Sequence, residues 1–282
     1  MEIKTAKTAG FCFGVERAVS KAEQIARSFC GPVYSFGPIV HNETVIKELE
    51  KEGVEIIYDE KEFDSLLGGT VIIRAHGITK ALDEKLRKRH FNVVDMTCPF
   101  VKKIHEIVQE QSRQGRTIII CGDEKHPEVQ GIIGWCEGPY HVVSSSEEFR
   151  NLQFSPDEPL SIVSQTTFNH EKFKNIVEIA ESLRYNCLKL DTVCFATQER
   201  QEEAEKLSRE VDCMLVIGSK NSSNSRKLFE ISQTNCTHTY FIENVDEIED
   251  QMFDHVNCVG ITAGASTPMT TLKEVQNHVR KF

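Results

Sequence analysis

Short unbroken apolar runs alternate along this chain with stretches whose apolar residues recur at helical period. "TVIIR" (70–74), "TIIIC" (117–121), "LSIVS" (160–164) and "MLVIG" (214–218) have strand length and no polar alternation, which predicts strands covered on both faces. "VERAVSKAEQIARSF" predicts an amphipathic helix with Val15, Val19, Ala22, Ala26 and Phe29 on its apolar side. The alternation predicts an α/β fold. "FSPDEPL", with Pro156 and Pro159, is the clearest loop.

The pattern repeats. Cys12 in "AGFCFGVERAV", Cys98 in "DMTCPFVKKIH" and Cys194 in "DTVCFATQERQ" each stand where a helical pattern begins. After each comes a helix, a strand and a glycine, in the loops "GPIVHNE", "GDEKHPE" and "GSKNSSN". His41, His126 and Ser222 occupy the same offset from that glycine. A later strand of each unit ends in another polar turn: "RAHG" with His76, "SQTT" with Thr166 and Thr167, and "TAGAST" with Ser266. Three matches in three units predict an internal triplication. The first two units end in a strand leading to the next cysteine, whereas the third ends in a helical stretch. The N-terminal "EIKTAKT" supplies the missing strand. The expected lobes are therefore residues 13–97, residues 98–193, and residues 194–282 together with 1–12, closing as a ring of three pseudo-equivalent α/β lobes. Ligands of open α/β sheets bind at the carboxyl ends of the strands, so the repeated loops are expected to converge on one central site.

Composition restricts the partners. The 282 residues carry a formal net charge of −10, which argues against a nucleic-acid surface and an anionic membrane. No apolar run approaches the length of a membrane span, and the first residues carry no secretory apolar region, so the expected location is the cytoplasm. Ten cysteines in such a compartment are expected to be mostly reduced, and no C-x-x-C pair occurs. Cys30, Cys121, Cys136, Cys187, Cys213, Cys236 and Cys258 read as small buried apolar residues.

Three widely spaced cysteines, one per lobe, suit an iron–sulfur cluster with one iron lacking a protein thiolate better than they suit structural zinc. His41, His76, His126, Thr166, Thr167, Ser222, Ser223, Asn224 and Ser266 would stand around it. This is a set of donors at loop ends that suits a phosphate or diphosphate. An N-cap role is equally open to the serines and threonines. Glu128, in the loop of His126, is a candidate proton donor, or a glutamate favoured by the helix dipole.

The motifs "GFCFGVERAV", "GPIVHN", "RAHG", "DMTCPFV", "HPEV", "SQTT", "DTVCFAT", "GSKNSSNS" and "TAGASTP" resemble those of the 4-hydroxy-3-methylbut-2-enyl diphosphate reductase (IspH/LytB) family, in order, from residue 8 to residue 268. The resemblance implies a three-lobed trefoil around a [4Fe-4S] cluster on Cys12, Cys98 and Cys194. It implies diphosphate ligands at His41, His76, His126, Ser222, Ser223, Asn224 and Ser266, a proton-donating Glu128 and a threonine relay at Thr167. The reaction implied is the last step of the non-mevalonate isoprenoid pathway. There an allylic alcohol diphosphate loses its hydroxyl as water and gives isopentenyl and dimethylallyl diphosphate. No G-x-G-x-x-G fingerprint is present, so electrons are expected from a separate protein, by family analogy a ferredoxin or flavodoxin. Two other readings are a quinolinate-synthase-like cluster-dependent dehydratase and a non-enzymatic iron–sulfur sensor. Dependence of turnover on a reductant separates the first from the reductase. Binding of a diphosphate without turnover would favour the second.

Overall fold

The structure, a computed structural model, describes residues 1–29 and 31–282, so Cys30 lies outside the described residues. The chain forms two compact units. One comprises Met1–Glu16, Val40–Lys47 and Phe195–Phe282, and the other Arg17–Ile39 and Glu48–Cys194.

The larger unit contains two four-stranded parallel sheets. In the first, β2 (Val33–Phe36) lies between β3 (Val54–Ile57) and β4 (Gly69–Ile73), and β5 (Phe91–Asp95) pairs with β4. In the second, β6 (Thr117–Cys121) lies between β7 (Tyr140–Val143) and β8 (Leu160–Ser164), and β9 (Cys187–Lys189) pairs with β8. The smaller unit holds a third parallel sheet of the same order. There β10 (Cys213–Ile217) lies between β11 (Thr239–Ile242) and β12 (Cys258–Ala263), and β1 (Glu2–Thr5) pairs with β12. The central strands β6, β8 and β10 are buried along their whole length. Their sequences are apolar without alternation because helices cover both faces of a parallel sheet.

The helices that matter for function begin at the strand ends. Helices α1 (Phe13–Ser28), α4 (Pro99–Arg113) and α8 (Phe195–Ser208) each start one residue after a cysteine. Helices α5 (Pro127–Ile133) and α9 (Ser223–Asn235) start after β6 and β10. The core face of α1 is Ala18, Val19, Ala22 and Ile25, rotated from the face that the sequence pattern predicts. Val19 and Ala22 are buried as expected, Val15 and Ala26 are half-buried, and Phe29 is 47% exposed. Phe29 lies beyond the last helical turn, where the period that aligned it no longer applies.

Burial of the cysteines also departs from expectation. Cys121, Cys213 and Cys236 are buried, but Cys136, Cys187 and Cys258 are only half-buried. The last two sit at the first residue of strands β9 and β12.

In the larger unit the two sheets are joined around Gly77, which follows β4. The Trp135 indole N–H, just past α5, donates to the Ile78 carbonyl at 2.9 Å. His105 of α4 stacks on Trp135 with ring centroids 5.3 Å apart. Gly77 has φ +73° and lies so close to His105 that an added Cβ would come within 2.6 Å of Cε1, so only glycine fits both the conformation and the space. Among the described residues no helix is long and apolar enough to cross a membrane.

In the smaller unit β1 is held by a parallel ladder that ends with Ala6 N–H donating to Ile261 O at 2.8 Å. Ala6→Pro removes that donor and leaves a buried carbonyl unpartnered, so it should lower unfolding stability by about 1–3 kcal/mol. Lys4→Ala, on the same strand but partly exposed, should stay within about 0.5 kcal/mol of wild type. Urea denaturation of the two variants checks the difference, and equal midpoints would show that β1 contributes nothing to the sheet.

Candidate active site

Each of the three cysteines sits at the carboxyl end of an outer strand, and its own N–H is tied to the turn beyond the adjacent strand. Cys12 donates to Ala265 O at 3.3 Å, Cys98 to Ala75 O at 2.9 Å and Cys194 to Thr166 O at 3.0 Å. Each acceptor lies two residues past the end of its strand, β12, β4 or β8. All three side chains are half-buried and precede the first turn of a helix, where negative charge is favoured.

The approach to each cysteine is pinned by a carboxylate. Asp95 accepts from the Thr97 N–H at 2.9 Å, and Asp191 from the Val193 N–H at 3.1 Å. Before Cys12 the same work falls to Glu203 of α8, which accepts from the Lys7 and Thr8 N–H groups at 2.7 and 2.9 Å and from the Thr8 hydroxyl. Burial opposes ionisation of Asp95, but bonds from Thr97 and Lys102 outweigh it and hold the carboxyl below its usual range. Glu203 is held down in the same way, burial being outweighed by Thr8 and Lys7. The sequence offers a signal for the first two, the shared Asp-x-x-Cys of "DMTC" and "DTVC". Glu203 comes from a distant helix and has no such signal.

In the larger unit the predicted residues Cys98, His76, His126, Glu128, Thr166 and Cys194 form one connected series. Ala75, which accepts from Cys98, precedes His76. The His76 ring meets the His126 ring edge to face, centroids 5.3 Å apart. His126 is the N-cap of α5, and its Nδ1 accepts from the Glu128 N–H at 3.1 Å. A ring whose Nδ1 accepts is neutral and carries its proton on Nε2, so His126 is a donor without positive charge. The Glu128 side chain, 2% exposed, accepts from the Thr166 N–H at 2.6 Å and from the Thr166 hydroxyl at 2.8 Å. Burial raises its pKa to about 7 against the opposing effect of these two bonds. Thr166 thus holds the acid with its N–H and hydroxyl while its carbonyl accepts from Cys194. Thr167 is the neighbour of Thr166, and its hydroxyl accepts from the Gln165 amide at 3.1 Å.

In the smaller unit the structure brings Cys12, Ser266 and His41 together. Ala265, the acceptor for Cys12, precedes Ser266, whose hydroxyl donates to His41 O at 3.1 Å. Ser222 caps α9 by accepting from the Ser225 N–H at 3.3 Å. Ser223 and Asn224 open the same helix and are buried. Both polar atoms of the Asn224 amide are buried without a hydrogen-bond partner among the described residues. Gly264, which precedes Ala265, lets this turn approach: an added Cβ would lie 2.0 Å from Ser225 Oγ and 3.6 Å from Asn224 Nδ2. A buried amide with no internal partner at the N-terminus of a long helix is suited to an anionic oxygen.

The thiols fit a metal cluster by contrast with the others. Burial pushes the Cys121 thiol up, and those of Cys136 and Cys213 up to about 12, which makes them poor thiolate ligands at neutral pH. Cys12, Cys98 and Cys194 stand at helix starts with their backbone N–H groups fixed by the adjacent turns.

Comparison with known proteins agrees with this arrangement. A profile of the LytB protein family matches residues 3–280. The chain is 45% identical over 284 residues to a 4-hydroxy-3-methylbut-2-enyl diphosphate reductase of Caldanaerobacter subterraneus subsp. tengcongensis, covering 100% of this chain and 98% of the relative. It is 44% identical over 282 residues to the protein of that name from Geobacter sulfurreducens, with the same coverage. Among solved structures, the E-1-hydroxy-2-methyl-but-2-enyl-4-diphosphate reductase of Plasmodium falciparum superposes with a TM-score of 0.91 at 32% identity, over 99% of this chain and 87% of that one. A structure described as (E)-4-hydroxy-3-methyl-but-2-enyl diphosphate reductase, the terminal enzyme of the non-mevalonate pathway, gives 0.70 at 39% identity over the full length of both. With the same three sheets and the same motifs along nearly its entire length, this chain belongs to the LytB family.

Proposed function

We propose that the chain reduces (E)-4-hydroxy-3-methylbut-2-enyl diphosphate to isopentenyl and dimethylallyl diphosphate, the last step of the non-mevalonate pathway, in the cytoplasm. The observation that carries this reading is Glu128: a buried carboxyl with its pKa raised to about 7, held by Thr166 beside the Cys194 turn. In this reading the lobes 13–97, 98–193 and 194–282 with 1–12 each contribute one cysteine. Cys12, Cys98 and Cys194 hold a [4Fe-4S] cluster, which when bound supplies electrons one at a time and a Lewis-acidic iron. A ferredoxin or flavodoxin provides those electrons.

The overall change adds two electrons and two protons. The C–O bond breaks, the oxygen leaves as water, and a C–H bond forms at one end of the allylic fragment: at the carbon that lost oxygen for dimethylallyl diphosphate, at the opposite end for isopentenyl diphosphate. Hydroxide is a poor leaving group, so the proton on the Glu128 carboxyl is the one that departs with it. Thr166 orients that carboxyl through its N–H and hydroxyl, and the resemblance assigns Thr167 as relay. The diphosphate is bound by Asn224, Ser222, Ser223 and the α9 N-terminus, and by His41, His76, His126 and Ser266. His126 contributes its Nε2–H.

Anaerobically purified wild type should carry iron and sulfide, and Cys12→Ser, Cys98→Ser or Cys194→Ser should lose the cluster and the activity. Cys236→Ser, at a buried core position, should keep both. Full cluster content in the Cys98→Ser protein would remove the cysteine assignment.

Asn224→Ala should weaken binding of inorganic diphosphate by roughly 10- to 150-fold, the cost of one hydrogen bond to a charged group. Because the Asn224 amide has no partner among the described residues, the melting temperature should not fall. Anaerobic calorimetry and thermal melts measure the two together. A destabilised variant with normal affinity would make Asn224 a packing residue.

Glu128→Gln should lower turnover by about 100-fold or more, with diphosphate affinity retained. For wild type the active form is the protonated one, so turnover should fall as pH rises through about 7. Folding stability follows the same sign. Between the ordinary value of 4.5 and about 7 the folded protein binds the extra proton, so raising the pH across that window removes stability. Steady-state rates and denaturation midpoints across the window, with Glu128→Gln as the flat reference, are the check. A wild-type rate that rises with pH would make Glu128 a base or a bystander.

A further inference from the structure

We propose that Arg17 raises the reduction potential of the cluster by placing an unpaired positive charge against the turn that carries Cys98, an inference that rests on the cluster assigned above. Arg17 stands on α1, and its guanidinium reaches the two residues that lead into Cys98. Nη2 donates to the Thr97 carbonyl at 2.7 Å and to the Met96 carbonyl at 3.3 Å. The Arg17 Nε is buried without a hydrogen-bond partner among the described residues. Among the described residues no carboxylate pairs with Arg17, whose guanidinium donates to the two carbonyls. Asp95, the carboxylate of this turn, pairs with Lys102 at 2.9 Å. Carbonyl bonds orient a guanidinium without neutralising it, so its field persists at the turn. A second guanidinium makes the corresponding contact before Cys12: Arg200 Nη2 donates to the Gly10 carbonyl at 2.9 Å.

Reduction adds one electron to a cluster already bound by thiolates, so a fixed neighbouring cation favours the reduced state. Removing that cation leaves the ligand set intact and lowers the potential. Arg17 is in this sense a positioning and tuning residue; it touches the protein backbone and no reacting atom.

The test uses the full-length holoenzyme, titrated with dithionite through redox mediators and followed by electron paramagnetic resonance, with iron and sulfide counted first. Arg17→Gln and Arg17→Met, both neutral, should keep the cluster and lower the equilibrium constant for its reduction on the order of tenfold, which is about 59 mV for one electron. Arg17→Lys, which keeps the charge but not the fork of donors, should stay near the wild-type potential. Wild-type protein lacking iron and sulfide would sink the cluster reading itself. A wild-type cluster with unchanged potential in either neutral variant would overturn the role of Arg17 alone. So would an equal shift in Arg17→Lys, and so would loss of the cluster from both neutral variants with retention in Arg17→Lys, since each makes Arg17 a purely structural anchor.

Discussion

Much of this structure depends on one main-chain hydrogen bond made three times, from a cysteine N–H to a carbonyl two residues past the end of the neighbouring strand. In a parallel sheet all strands end on the same edge, and the ladder normally stops where the strands diverge into loops. Here the bond adds one further rung. It fixes the backbone of each cysteine. The carboxylates Asp95, Asp191 and Glu203 complete the constraint by accepting the N–H groups that the turn would otherwise leave unmet. Proteins that build chemistry on loops need such over-determination, because loops alone are mobile.

An acidic chain that acts on an anion faces a contradiction at the level of net charge, and local donors resolve it. With a net charge of −10, long-range attraction of a diphosphate is unfavourable. Short-range recognition can still succeed when donors are already desolvated and oriented, since no water has to be stripped from them on binding. The Asn224 amide, buried with neither atom partnered, is in that state. An unpartnered buried amide destabilises the fold. Its presence at the start of α9 fits a function for the group in binding. Ser222 shows the opposite economy, since its hydroxyl already caps the helix.

Strands were the most legible part of the sequence. β6 and β8 match the runs "TIIIC" and "LSIVS" residue for residue, because strands buried on both faces read as mostly apolar runs with no charged position. The apolar face of α1 was less legible. Its sequence carries apolar residues over a broad arc, and only packing against the sheet selects Ala18 and Ile25 over Val15 and Phe29. In the site, the positions of the cysteines in their sheets follow from the repeat. The bond between Glu128 and Thr166 does not, because it joins residues on successive strand-end loops whose approach is set by the β6–β8 pairing. The neutrality of His126 was also hidden, since it follows from a ring nitrogen bonded to a neighbouring N–H and not from composition.

Thr166 couples Glu128 to the turn that carries Cys194. Its N–H and hydroxyl hold the Glu128 carboxylate, and its carbonyl accepts the Cys194 N–H. A shift of this turn would therefore move the carboxyl and the cysteine together. The raised pKa of Glu128 depends on that arrangement in a specific way. Burial favours the protonated acid, while the two bonds from Thr166 favour the anion. Burial alone would leave a carboxyl too weak an acid to release its proton near neutrality. The bonds alone would leave it ionised. Their opposition brings it to about 7, where a proton is both held and available. The same threonine that fixes the direction of the carboxyl thus also fixes how readily it gives up its proton.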